Sequence, residues 1–202
     1  LYHLGTYGYG EDGDWQKRNH KLYLYPLKDG MLGLEVALKK QDFLKNIVLE
    51  FINTRYQSGP IYHDHTPNIH DQIGGMDNYY NHQFYPGWQY YGQVMGNPLY
   101  LSPIYNNGEL EIKNNRFFAW HFGFSGSVSE RFHYRFLGTW QKGLGTYRQP
   151  FSVARENVSL LLETEYALPC IKGVSLKAAF GMDHGKLLGN NNGVQLSVFY
   201  SR

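Results

Sequence analysis

The stretch Val194-Gln195-Leu196-Ser197-Val198-Phe199-Tyr200-Ser201 decides the fold class. Val194, Leu196, Val198 and Tyr200 alternate with Gln195, Ser197, Phe199 and Ser201. A period of two marks a strand with one apolar and one polar face. The pattern recurs upstream. Val174, Leu176, Ala178, Phe180 and Met182 alternate with Ser175, Lys177, Ala179, Gly181 and Asp183. Val158, Leu160, Leu162 and Tyr166 alternate with Ser159, Glu163 and Glu165. Phe132, Tyr134, Phe136 and Trp140 oppose His133, Arg135, Thr139 and Gln141, and Phe118, Trp120, Phe122 and Phe124 form one face of the strand before them. Nearer the start, Leu32, Leu34, Val36 and Leu38 oppose Gly33, Glu35, Ala37 and Lys39, and 46–56 and 20–27 are further candidates. Helical periodicity is nearly absent. The expected fold is all-β, with about eight strands and a partial one at the N-terminus.

The two faces differ in kind. Glu163, Glu165, Lys177, Asp183, His133 and Arg135 fall on the polar one, and the apolar one ends in Trp140, Tyr134, Tyr166 and Tyr200. Such rings favour a membrane–water boundary, where one end is apolar and the other wet. The connections read as long at 185–192 and 143–157 and short at 169–172, 129–130 and 40–45, with a far longer stretch at 57–114. Long loops on one side and short turns on the other is the layout of bacterial outer-membrane barrels. The expectation is an antiparallel transmembrane β-barrel over 1–202, part of a larger barrel in the bacterial outer membrane. Segment 57–114 is then extracellular and the C-terminus periplasmic. The short turn at 28–30 departs from the alternation. The competing architecture is a soluble antiparallel sandwich with aromatic core residues.

Composition bounds the function classes. The 202 residues suffice for one domain or roughly half of a large barrel. Aromatic residues make up 17% of the chain, which suits strands and an amphipathic boundary. Mean hydropathy is −0.50, and no apolar run reaches the ~18 residues of a membrane-crossing helix. Net charge is +2 without a long basic cluster, so no nucleic-acid partner is expected. The single cysteine, Cys170, permits no internal disulfide. The chain opens in LYHLGTYGYG with neither Met nor export signal, which predicts a longer N-terminal part before it.

Segment 57–105 carries the most chemistry. His63, His65, His70 and His82 lie there with Asp64, Asp71 and Asp77, and His63-Asp64-His65 has ligand types a metal accepts. No Cys pair or His-Glu-x-x-His frames them, and loop His and Asp more often hydrogen-bond turns, so no metal and no cofactor is expected. Tyr62, Tyr79, Tyr80, Phe84, Tyr85, Trp88, Tyr90 and Tyr91 alternate there with Asn78, Asn81, Gln83 and Gln89. Rings beside amides suit sugars, which offer C–H faces to the rings and hydroxyls to the amides. The competing role is packing, because a loop this long folds on its own side chains. Enzyme chemistry finds no constellation. Ser125 and His121 share a face, but four residues of strand hold them about 13 Å apart, too far for a nucleophile–base pair.

Several pieces act together: Gly74-Gly75-Met76-Asp77-Asn78-Tyr79-Tyr80-Asn81-His82, Tyr85-Pro86-Gly87-Trp88, Met95-Gly96-Asn97-Pro98-Leu99, Asn114-Asn115-Arg116, Gly143-Leu144-Gly145-Thr146-Tyr147 and the run 183–194. In combination they resemble the capsule-assembly Wzi-like proteins of Bacteroidetes, over nearly the whole chain and most strongly from Gly74 onward. The resemblance implies an outer-membrane barrel that anchors or assembles capsular polysaccharide as a lectin-like protein rather than an enzyme. Its partners are then surface polysaccharide and outer-membrane lipid. It supplies no catalytic residues, and the implied glycan contact falls on Asp77, Asn78, Tyr79, Tyr80, Asn81, His82, Tyr85 and Trp88. A transport channel and an outer-membrane lipid hydrolase are the rivals.

Overall fold

The computed structural model describes residues 7–9, 15–17, 29–39, 42–57, 78–82, 84–106 and 108–201. The strand expected at 20–27, the His/Asp group at 63–71 and Asp77 lie outside the described residues. The chain is all-β. Its strands are β1 Tyr7–Tyr9, β2 Trp15–Lys17, β3 Gly30–Ala37, β4 Asn46–Asn53, β5 Gln89–Tyr90, β6 Gln93–Val94, β7 Phe117–Ser129, β8 Phe132–Gly145, β9 Pro150–Ala167, β10 Val174–Gly185 and β11 Asn191–Tyr200. One 3₁₀ turn covers Pro103–Tyr105. No helix among the described residues is long and apolar enough to cross a membrane.

Two compact units divide the chain. One comprises Leu1–Gly30, Asn53–Arg116 and Leu144–Pro150; the other comprises Met31–Ile52, Phe117–Gly143 and Phe151–Arg202. The second is built on a seven-stranded antiparallel sheet in the order β11-β10-β9-β8-β7-β4-β3. Its edges, β11 and β3, do not pair with each other among the described residues, so the sheet is open.

The alternation fixes which side each residue takes. β10 pairs β11 with Leu176 opposite Val198 and Phe180 opposite Val194, and it pairs β9 with Phe180 opposite Leu162 and Met182 opposite Leu160. In the β7–β8 hairpin Trp120 faces Trp140 and Phe124 faces Phe136. Two ion pairs, Arg135–Glu163 and Lys142–Glu156, set β8 against β9 in a single register. That register places Phe136 beside Leu162 and Trp140 beside Val158.

The even-numbered residues therefore make one apolar side across β7 to β11. Leu162, Leu176, Phe180, Leu196 and Trp120 on it are all exposed. The odd-numbered side is polar and more sheltered. Ala119, Ser127, Gln141 and Asn157 are buried there. Its side chains bond across strands: Ser159 Oγ donates to Asp183 Oδ1 at 2.5 Å, Ser175 Oγ to Glu165 Oε1 at 2.9 Å, and Lys177 Nζ meets Glu163 Oε1 at 3.1 Å. Val153 and Phe199 are exposed apolar exceptions on this side.

One expectation is corrected. Residues 143–157 are not a long loop. β8 runs to Gly145, β9 begins at Pro150, and a tight turn joins them, closed by Thr146 N–H donating to Gln149 O at 3.2 Å and Gln149 N–H to Thr146 Oγ1 at 2.9 Å. The β10–β11 connection is likewise only 186–190. Pairing extended into regions whose sequence alternates weakly, because a strand propagates wherever its neighbour offers backbone partners. The contrast between long and short connections thus survives only in 54–116, between β4 and β7.

Candidate functional site

The first unit is held by asparagines. Asn78 O accepts the Asn81 N–H at 2.9 Å and closes a turn over Tyr79 and Tyr80. Tyr80 takes a positive φ of 68° inside it. The Asn81 side chain then clamps a distant strand of backbone: its Nδ2 donates to Ile112 O at 3.0 Å and its Oδ1 accepts Ile112 N–H at 2.9 Å. Asn115, fully buried, donates from Nδ2 to Asn78 Oδ1 at 2.6 Å and to Tyr79 O at 2.9 Å. Short Asn side chains mimic backbone amides, which is why they replace ladder hydrogen bonds where the chain is irregular.

A second turn brings Trp88 over the first. Trp88 N–H donates to Tyr80 O at 3.1 Å, and Gly87 at φ +82° makes the close approach possible. A Cβ at Gly87 would meet Tyr80 O at 1.9 Å. The β5–β6 hairpin follows, with Met95 N–H donating to Trp88 O at 3.1 Å. The Gln89 side chain donates to Pro86 O and Leu110 O and ties the hairpin down.

These turns enclose a cleft of about 470 Å³ lined by Asn78, Tyr79, Tyr80, Asn81, His82, Trp88 and Met95. The fold thus brings together six of the residues singled out from sequence, and Tyr85 joins them by stacking on His82 at 3.7 Å between ring centroids. Their roles divide. Tyr80 packs on the buried Tyr100 at 4.1 Å, its hydroxyl accepts Asn97 N–H at 3.4 Å, and Tyr79 donates its hydroxyl to Asp29 Oδ2 at 3.2 Å. Asn78 and Asn81 spend their amides on the fold. Trp88 is 68% exposed, and His82, Tyr85 and Phe84 are exposed beside it. The free surface is therefore aromatic. Apart from the His82 imidazole, the lining has no ionisable group but phenols, and burial, then Tyr80, then Asp29 push the Tyr100 phenol beneath it well above its ordinary 10.0. A lining of this kind favours a ligand rich in hydroxyls and C–H faces over an ion.

Other candidates are less complete. Among the described residues no group of three His, Cys, Asp or Glu side chains can hold a metal. In the sheet, Ser127 Oγ lies 2.7 Å from His133 Nδ1 and Thr139 Oγ1 2.7 Å from His121 Nδ1. Among the described residues neither imidazole has a carboxylate bonded to its other nitrogen, the group that orients a catalytic base. Ser125 instead accepts Asn46 Nδ2 at 3.4 Å. The sequence reading missed Met95 in the lining and Asn115 and Tyr100 as supports behind it; Met95 and Asn115 were visible only through the family resemblance.

No protein-family model matches the chain, and neither a curated protein nor a solved structure matches it.

Proposed function

We propose that the chain is part of a bacterial outer-membrane β-barrel that binds surface or capsular polysaccharide and helps retain it at the cell, with no bond made or broken. The observation that carries this reading is the inverted polarity of the seven-stranded sheet. Its apolar side is exposed and its charged side sheltered. In water this leaves Leu162, Leu176, Phe180, Val194, Leu196 and Val198 exposed together on one face, and a contiguous apolar face of this kind marks contact with lipid or a partner. In a barrel the apolar side belongs to lipid and the polar side to the interior. A soluble sandwich needs a second layer over Leu162, Phe180 and Leu196, and these are exposed.

The dimensions agree. The apolar rows run from Phe132, Tyr166 and Leu176 to Trp140, Val158 and His184. Eight residues of strand rise about 27 Å, close to the ~25 Å band of outer-membrane barrels once the strands tilt. Among the described residues β3 and β11 have no outer neighbour, which leaves both edges for further strands of the barrel. On the polar side Glu163 pairs with both Arg135 and Lys177, so these charges are engaged with one another rather than lining an open passage, which favours a filled interior over a channel.

The polysaccharide half rests on the exposed rings of Trp88, Tyr85 and His82 at the cleft and on the resemblance of 74–99 to capsule-assembly proteins. The test uses the full chain in cells. A tag inserted after Ile69 is expected to bind antibody on intact cells, and purified protein is expected to carry polysaccharide through a wash that strips unrelated barrels. Labelling only after the outer membrane is broken overturns the topology. Labelling without polysaccharide overturns the binding.

A further inference from the structure

The even-numbered side of the sheet changes character at one level. The rows Phe136–Leu162–Phe180 and Gly138–Leu160–Met182 are apolar. The next row is Trp140–Val158–His184, and the row beyond it is Lys142–Glu156–Lys186. Lys142 Nζ lies 3.0 Å from Glu156 Oε1, and the Trp140 side chain bonds the same carboxylate. The indole is thereby held at the boundary. Lys186 N–H donates to Glu156 O at 2.8 Å, and among the described residues the Lys186 ammonium enters no salt bridge. A cavity of about 610 Å³ opens here, lined by Trp140, Glu156, Val158, His184, Lys186 and Asn190 among others, and Lys142 borders it through its bond to Glu156.

Three chemistries meet in order along the strands. Ammonium groups suit a phosphate. An indole beside an amide suits a sugar ring. The apolar rows suit acyl chains. We infer that this level binds the head of a phosphorylated glycolipid of the outer leaflet. The phosphate meets Lys186 and Lys142, the sugar lies against Trp140 and Asn190, and the chains run over Leu162 and Phe180. Glu156 does not oppose the phosphate, because Lys142 and Trp140 occupy it and the row carries two ammonium groups against one carboxylate. A bare phosphate fills little of a cavity this size, whereas a sugar phosphate uses both its cationic and its aromatic wall. The inference rests on the membrane reading above. It also accounts for charge appearing on the otherwise apolar side at the end of the sheet from which 54–116 departs.

The full chain is inserted into phosphatidylcholine vesicles containing bisphosphorylated lipid A, the same lipid with its phosphates removed, or phosphatidylglycerol. Lipid retained per protein is counted after extraction. Phosphorylated glycolipid is expected to be retained above both others. Lys186→Gln should weaken it about fivefold, and Lys142→Gln with Lys186→Gln about thirtyfold. The single variant breaks no salt bridge, so its effect is free of the Lys142–Glu156 pair. Equal retention of dephosphorylated lipid or of phosphatidylglycerol overturns the inference, as does unchanged retention in the variants. In those cases the membrane reading stands. Failure of the wild-type chain to insert overturns both.

Discussion

Leu162 and Glu163 are neighbours on β9 with opposite fates: the leucine is 44% exposed, whereas the glutamate side chain is only 14% exposed and lies between Arg135 and Lys177. Adjacent residues of a strand must point to opposite sides. What is unusual is which side is sheltered. A sheet folding in water shelters the leucine. Here the carboxylate is sheltered and partnered by two cations, so its desolvation is offset by charge-assisted hydrogen bonds.

Substitution at these two positions separates the sides. Leu162→Arg should cost about 2–4 kcal/mol for folding into vesicles if the position lies near mid-bilayer. Glu163→Gln leaves Arg135 and Lys177 as uncompensated like charges and should cost about 1.5–3 kcal/mol. Urea titration of vesicle-inserted protein measures both. A neutral Leu162→Arg contradicts the assignment of sides.

Gly87→Ala should dismantle the cleft. The added methyl would meet the Tyr80 carbonyl at a φ that disfavours alanine. The strain alone is worth about 1–3 kcal/mol, and the contact adds to it. Limited proteolysis is expected to cut within 78–95 in the variant while the sheet survives. An unchanged cleavage pattern argues against the described turn.

Trp88 and Tyr80 should respond differently. Trp88→Ala removes an exposed ring and is expected to reduce polysaccharide retention severalfold with little change in melting, because interface energy concentrates in a few aromatic anchors. Tyr80→Ala removes a ring packed on Tyr100 and should cost up to about 3 kcal/mol of stability. Retention and melting are measured on the same samples. Normal retention with a normally folded Trp88→Ala protein sinks binding at this ring.

Alkali should loosen the first unit through Tyr100. Its phenol is pushed up by burial and by neighbouring Tyr80 and Asp29, so the unfolded chain releases this proton first. The corresponding stability is present in full below the ordinary value of 10.0 and declines as pH rises past it. Melting of the first unit between pH 8 and pH 11, set beside Tyr100→Phe, should show a decline above pH 10 that is smaller in the variant.

Much of the sheet was legible because strand polarity is local. Val174 to Met182 and Val194 to Tyr200 announce their faces by alternation, and the structure pairs them as neighbours. The ends of strands were less legible. Residues 143–157 read as a loop, yet most of them pair, since a ladder extends as far as the adjacent backbone allows. The contents of 78–95 were named from sequence as rings and amides, but not their division of labour.

That division marks the boundary between the two kinds of information. The sequence by itself determined the all-β class, the two-sided character of each strand and the set of rings and amides in 78–88, because these follow from side-chain chemistry and a period of two. Only the tertiary structure decided that Tyr80 is tied to Tyr100 while Trp88 is exposed, and that Asn81 is committed to Ile112 and Asn115 to Asn78. Those assignments depend on contacts twenty to forty residues away in the chain, roughly beyond the reach of any local pattern. Whether a ring packs or binds is set by what covers it, and that is a property of the folded chain alone.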